Sequence, residues 1–105
     1  MFVLIVRFQL HLDTIEAFDK LVLKTLLGIE SCEPGTISYI VHANPESPAE
    51  RVFYECYKDL EAFEFHEMQE HTRLFLKERQ QYLVSDPEVF KLIVSDGFIA
   101  KNLVQ

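Results

Sequence analysis

Within residues 51–71, RVFYECYKDLEAFEFHEMQEH, a carboxylate, a phenol and an imidazole follow one another at Glu55, Tyr57 and His66. An imidazole ordinarily titrates near neutral pH, so His66 is suited to take a proton from a phenolic hydroxyl. The competing reading, a histidine that only caps or props a helix, weighs about the same. Tyr57 shares a strand face with Glu55 and leads into the segment that carries His66, where a phenol can hydrogen-bond a quinol or an enolate. Tyr39 and Tyr54 have the same potential, set against the commoner role of aromatic residues as core filling. Glu55 stands among aromatics and calls for a cation. Arg7 on the first strand is the expected partner, in a pair that is costly unless well bonded. Such a pair would fix register or hold a substrate oxygen, and the structural role is the safer one. His71 follows His66 by five residues, about 140° around a continuous helix, so the two imidazoles do not share a face as they do in HExxH. No metal site is therefore expected, and His71 reads as a structural residue at a helix break.

The elements that hold these side chains follow from the apolar pattern. Residues 2–12 (FVLIVRFQLHL) place large apolar side chains at every even position, a strand whose first half is apolar on both faces. Asp13 with Glu16 suggests a capped helix start, and Ile15, Phe18, Leu21, Val22, Leu26 and Ile29 recur at helical spacing. Pro34 ends that helix by about Cys32, and Pro34-Gly35 fits the centre of a type II turn. A strand over 36–43 follows. Residues 44–50 (NPESPAE), with two prolines, read as a hairpin connection to a strand over 51–57. Asp59 can cap a helix over 60–68; a break near Glu70 precedes another over 72–83 and a last strand over 89–94. The segment 98–105 has no firm period.

Strand, helix, strand, strand, helix, strand is the split β-α-β order of an α+β, ferredoxin-like fold (β-α-β-β-α-β), here as one domain over 1–105. Its sheet would be bare on one face. Apolar residues on both sides of the early strands point to a homodimer joined through the sheets.

Composition excludes several classes of function. The 105 residues are 49% apolar and 26% charged, a globular mixture rather than a disordered one. A net charge of −7 offers no basic surface for nucleic acid or for an acidic membrane. The longest apolar run, residues 1–6, is too short to span a bilayer and lacks the features of a signal peptide, so a cytoplasmic location is expected. Cys32 and Cys56 lack metal-type spacing and read as idle thiols.

Three motifs carry a resemblance: Glu33-Pro34-Gly35-x-x-x-Tyr39, Val52-Phe53-Tyr54-Glu55-x-Tyr57, and Glu61-Ala62-Phe63-x-x-His66 with His71 beyond. In this order, over nearly the whole chain, they resemble the antibiotic biosynthesis monooxygenase (ABM) domain family, which has the dimeric alpha-beta barrel type of ferredoxin-like fold. The resemblance implies a pocket between sheet and helices and an oxygenase that needs no flavin or metal cofactor. Its substrate would be a small aromatic, quinol or polyphenol molecule. His66 and Tyr57 then become the catalytic candidates, and Arg7, Tyr39, Phe53, Glu55 and Phe63 the substrate-binding ones. Haem-degrading relatives use asparagine, tryptophan and histidine where this chain has Arg7, Tyr57 and Leu76, and there is no tryptophan anywhere, so haem degradation is not expected. Two alternatives stay open: an enzyme similar to the autoinducer-processing isomerases, whose phosphorylated substrate needs a cationic cleft, and a non-catalytic dimeric small-molecule-binding or stress protein.

Overall fold

The structure, a computed structural model, describes residues 1–100. Its elements run β1 (Phe2–Gln9), α1 (Ile15–Cys32), β2 (Thr36–Asn44), β3 (Ser47–Tyr57), α2 (Leu60–Met68), α3 (Glu70–Glu78) and β4 (Glu88–Ile93). Short 3-10 turns at Leu12–Thr14 and Arg79–Tyr82 precede α1 and follow α3. The strands form one antiparallel sheet in the order β2-β3-β1-β4, the ferredoxin-like arrangement expected of the element order. No helix among the described residues is long and apolar enough to cross a membrane.

The period of two in β1 decides where the core sits. Leu4, Val6, Phe8 and Leu10 face the helices and join Phe18, Leu21, Val22, Phe53, Tyr57, Phe63 and Phe75 in one buried cluster. Phe8 touches Phe18, Phe53 and Phe75, with the Phe8 and Phe53 centroids 4.7 Å apart. No helix among the described residues covers the opposite face, and there Ile40, Phe90 and Leu92 are 49%, 52% and 44% exposed.

Several local expectations need correction. β1 ends at Gln9 rather than residue 12, because Leu10 bridges to Leu83 and the chain then winds into a 3-10 turn. Asp13 lies inside that turn and does not cap α1; Thr14 precedes the helix, its hydroxyl donating to the His11 carbonyl at 2.8 Å. The turn at Pro34-Gly35 closes through Thr36 N–H to the Glu33 carbonyl, but Gly35 is outside the left-handed region, so the turn is not type II. Gly35 is needed for close approach instead: a Cβ there would lie 2.6 Å from the Ala62 Cβ. Residues 44–50 are mostly strand, with only Pro45 and Glu46 turning. Pro48 is tolerated inside β3 because the β1 ladder stops at Glu50, where no donor is required of it.

Asp59 caps α2 as expected, accepting from Ala62 N–H at 2.8 Å. The helix break falls at Gln69, whose extended backbone (φ −71°, ψ 146°) starts α3 at Glu70, two residues earlier than expected. Of the closing segment 98–105, residues 101–105 lie outside the described residues.

Candidate active site

Glu33 follows α1 and is buried at 5% exposure, with its carboxylate turned towards α2 and α3. Its Oε1 accepts from the Thr36 hydroxyl at 2.7 Å and lies 2.9 Å from His66 Nδ1. Its Oε2 bonds His71 Nε2. Burial alone would push this carboxyl up, but the bonds from His66, Thr36 and His71 outweigh it and hold Glu33 below its ordinary value. An ionised carboxylate has only lone pairs to offer, so the proton of the Glu33 to His66 bond resides on Nδ1. In the neutral ring Nε2 is then the accepting nitrogen, the orientation a general base requires.

His66 lines a cavity of about 240 Å³ walled by Leu4, Val6, Tyr39, Phe63, Phe75 and Leu76, with Glu55, Thr72, Arg79 and Lys91 among its polar groups. His66 Nε2 lies 4.0 Å from Glu55 Oε1, beyond hydrogen-bond range. Glu55 is only 4% exposed, and burial raises its pKa despite the hydroxyl that Tyr57 donates to Oε1 at 2.6 Å. Tyr39 pairs across the sheet with Glu55, and its ring centroid lies 5.7 Å from that of His66. Burial first, and the nearby Glu55 second, keep the Tyr39 and Tyr57 phenols well above their ordinary values, so both act as neutral hydrogen-bonding groups.

Of the residues singled out by sequence, Tyr39, Glu55, Phe63 and His66 therefore meet at one cavity. Tyr57 is fully buried behind it, with its hydroxyl engaged by Glu55, and Phe53 is core, in contact with Phe8 and Phe75. Arg7 does not pair with Glu55. Glu55 sits opposite Leu4 on the helix side, whereas Arg7 sits opposite Val52 on the other face. There Arg7 bonds Glu50 at 2.6 Å and reaches Glu88 at 3.4 Å.

The bend at Gln69 removes the premise of the angular argument against a shared histidine site. His71 returns beside His66, and Glu33, His66 and His71 offer three ligand atoms within 4.8 Å of one another, a set of the kind that can hold a divalent metal. In the structure both imidazoles are hydrogen-bonded to the Glu33 carboxylate. Space for His71 comes from Gly28, where a Cβ would stand 2.5 Å from the imidazole.

Glu33, Arg79 and Lys91 had no role assigned from sequence. Arg79 was discernible in principle, since Thr72, Phe75, Leu76 and Arg79 follow the i, i+3, i+4, i+7 spacing of one helix face, and a guanidinium on an otherwise apolar stripe is anomalous. Glu33 was quoted in a motif, but only the three-dimensional meeting of α1, α2 and α3 reveals its task.

A family model described as antibiotic biosynthesis monooxygenase matches residues 1–78. Among solved structures, Rv0793 from Mycobacterium tuberculosis is similar at TM-score 0.84 and 22% identity, covering 91% of this chain and 96% of that one. A protein from Nitrosomonas europaea, described as a candidate antibiotic biosynthesis monooxygenase, has TM-score 0.82 and 21% identity over 90% of this chain and 98% of its own. Another structure described as an antibiotic biosynthesis monooxygenase reaches TM-score 0.83 at 19% identity, with 91% and 100% covered. No curated protein matches the chain in sequence.

Proposed function

The chain belongs to the antibiotic biosynthesis monooxygenase family, and on that premise we propose that it is a monooxygenase acting on a small quinol or polyphenol without flavin or metal. The observation that carries this reading is the Glu33–His66 pair beside a cavity that His66 lines together with aromatic side chains. His66 Nε2 takes the proton of a substrate hydroxyl, and Glu33 stabilises the imidazolium through Nδ1. The electron-rich anion then supplies the electrons that reduce dioxygen, forming a carbon–oxygen bond to a peroxide anion that takes the proton back from His66 and becomes a hydroperoxide on a carbon that still bears its hydrogen. Loss of water leaves one oxygen atom on the substrate carbon as a carbonyl. Tyr39 faces the substrate, and Tyr57 acts as a positioning residue through Glu55.

A cavity of about 240 Å³ exceeds the roughly 150 Å³ that admits benzene, so one substituted ring fits. The arrangement expected of an enzyme, a cavity with both Tyr57 and His66 facing in, is met by His66 and not by Tyr57, whose hydroxyl is engaged by Glu55. Oxygen uptake with a panel of hydroquinones and anthrones tests the reaction. His66→Ala is expected to lower the rate by about 10²–10⁴-fold, the usual contribution of a general base. Uptake unchanged in this variant sinks the role.

The uncovered sheet face, with Ile40, Phe90 and Leu92 exposed, supports a homodimer through the sheets. Sedimentation of a monomer at micromolar concentration would rule it out.

A further inference from the structure

Arg79 begins the 3-10 turn after α3 and directs its side chain back along the helix face that lines the cavity. The guanidinium carbon lies 5.3 Å from the Phe8 ring centroid and 5.7 Å from that of Phe75. Its Nε is buried without any hydrogen-bond partner among the described residues. No described carboxylate comes within ion-pair distance of it, although Arg7 and Arg51 each have such a partner among the described residues. Glu55 is close enough to favour the charge at longer range, but it does not bond to it, and its Oε1 accepts from Tyr57.

A guanidinium keeps its proton at any physiological pH, so it cannot escape burial by becoming neutral. Arg79 as a whole is half-buried, with only Nε fully enclosed, and such a charge beside a cavity with no paired carboxylate leaves a place for the counter-charge of an occupant. Lys91 lines the same cavity from β4, its ammonium 5.6 Å from the Phe63 ring centroid. Glu55 and Glu67 also border it, and their like charge weighs more against a doubly than against a singly charged occupant. The planar fork of arginine matches a carboxylate bidentately.

We propose that the cavity binds a hydroxylated aromatic carboxylate, its carboxylate on Arg79 and its reacting hydroxyl at His66 Nε2. The assignment of the hydroxyl rests on the monooxygenase reading, whereas the anion subsite can be tested by binding alone. Titration calorimetry compares 2,5-dihydroxybenzoate with hydroquinone, the same quinol lacking the carboxylate, and with phenyl phosphate. The wild-type protein is expected to bind the dihydroxybenzoate at least tenfold more tightly than hydroquinone. Arg79→Met, which keeps the apolar stem, and Arg79→Lys, which keeps the charge without the fork, should lose most and part of that advantage. His66→Ala should retain it.

Equal wild-type affinities for the two quinols would overturn the subsite, as would an advantage undiminished in folded Arg79→Met. If Arg79→Met does not fold, the wild-type comparison and Arg79→Lys decide. Tighter binding of phenyl phosphate than of the dihydroxybenzoate would overturn the carboxylate assignment in favour of a dianion. Oxygen uptake separates the two levels of inference. A carboxylate advantage without uptake sinks the monooxygenase reading alone, and uptake with hydroquinone without any carboxylate advantage sinks the subsite alone.

Discussion

Arg7 and Arg79 stand on opposite sides of one sheet, and their surroundings are opposites too. On the outer face Glu50 accepts from Arg7, Gln9 and Asn44, and Glu88 lies on the other side of Arg7. The first bonds, from Asn44 and then Arg7, hold Glu50 below its ordinary value. On the helix side, Arg79 has no bonded partner among the described residues, and His66 Nε2 stands 4.0 Å from the nearest carboxylate oxygen. Polar groups that satisfy one another hold a strand in register, whereas polar groups left open around a cavity await a ligand. The difference separates a structural cluster from a functional one without reference to residue type.

The largest contrast between the faces is in packing. Phe53 is 1% exposed and meets Phe8, Phe18, Phe75 and Tyr39. Phe53→Ala should cost about 3–5 kcal/mol, the range for deleting a fully packed ring. Its neighbour Val52 faces the other way, and Val52→Ala should cost less than about 1 kcal/mol in the monomer. Urea denaturation of the two variants measures this directly, and equal losses would erase the distinction between the faces.

Next in size is Glu33→Gln. Its amide cannot accept from both imidazoles as the carboxylate does, so a loss of about 1–3 kcal/mol is expected near neutral pH, the cost of breaking a buried charged hydrogen bond. The pH dependence has a definite sign. A carboxyl held below its ordinary value contributes stability that is present above that value and lost as the pH falls through the depressed one. Wild type should therefore lose its advantage over Glu33→Gln in acid, and a gap of constant size down to pH 2 would contradict the bonding described here.

How much of this could be read in advance depended on period. The alternation in β1, β2 and β3 located the sheet, and the same alternation assigned Phe53, Glu55 and Tyr57 to one face. It also contained the answer for Arg7, because antiparallel register sets Glu55 opposite Leu4, an even residue, while Arg7 is odd. Pairing the two required a register the strands do not adopt. The site eluded local patterns for another reason. Glu33 to His66 and Glu33 to His71 span 33 and 38 residues, and the second depends on the bend at Gln69: a break near Glu70 is expected from sequence, but the angle between the two histidines is reckoned there along a continuous helix. Tyr57 was favoured for its neighbours in sequence, but burial spends its hydroxyl on Glu55 and gives the cavity wall to Tyr39.

Glu55 offers a smaller effect of opposite sign to that of Glu33. Burial raises its pKa, so its contribution to stability is complete below the ordinary carboxyl value and is lost as the pH rises through the raised one. Glu55→Gln keeps an oxygen for the Tyr57 hydroxyl and removes that loss. The variant should gain stability of order 1 kcal/mol above neutral pH, the scale of one hydrogen bond, and little or nothing in acid. A variant less stable than wild type at alkaline pH would show instead that the ionised carboxylate is needed to hold the Tyr57 side of the cavity together.

The smallest effect belongs to Arg7. Its side chain is 45% exposed, and charges so placed are screened by water and by salt. Removing it leaves Gln9 and Asn44 bonded to Glu50, so that carboxylate is not orphaned. Arg7→Ala should therefore destabilise the chain by less than any substitution above, and the difference should shrink further in high salt. Ligand affinity and oxygen uptake should not change, because the sheet itself separates Arg7 from the cavity. If Arg7→Ala weakened binding of 2,5-dihydroxybenzoate as strongly as Arg79→Met, the division of the two faces into a structural and a functional one would be wrong. The most direct alternative would then be that Arg7 reaches a cavity of a second copy across the sheet, which subunit mixing of Arg7→Ala with Arg79→Met would test by partial recovery of binding.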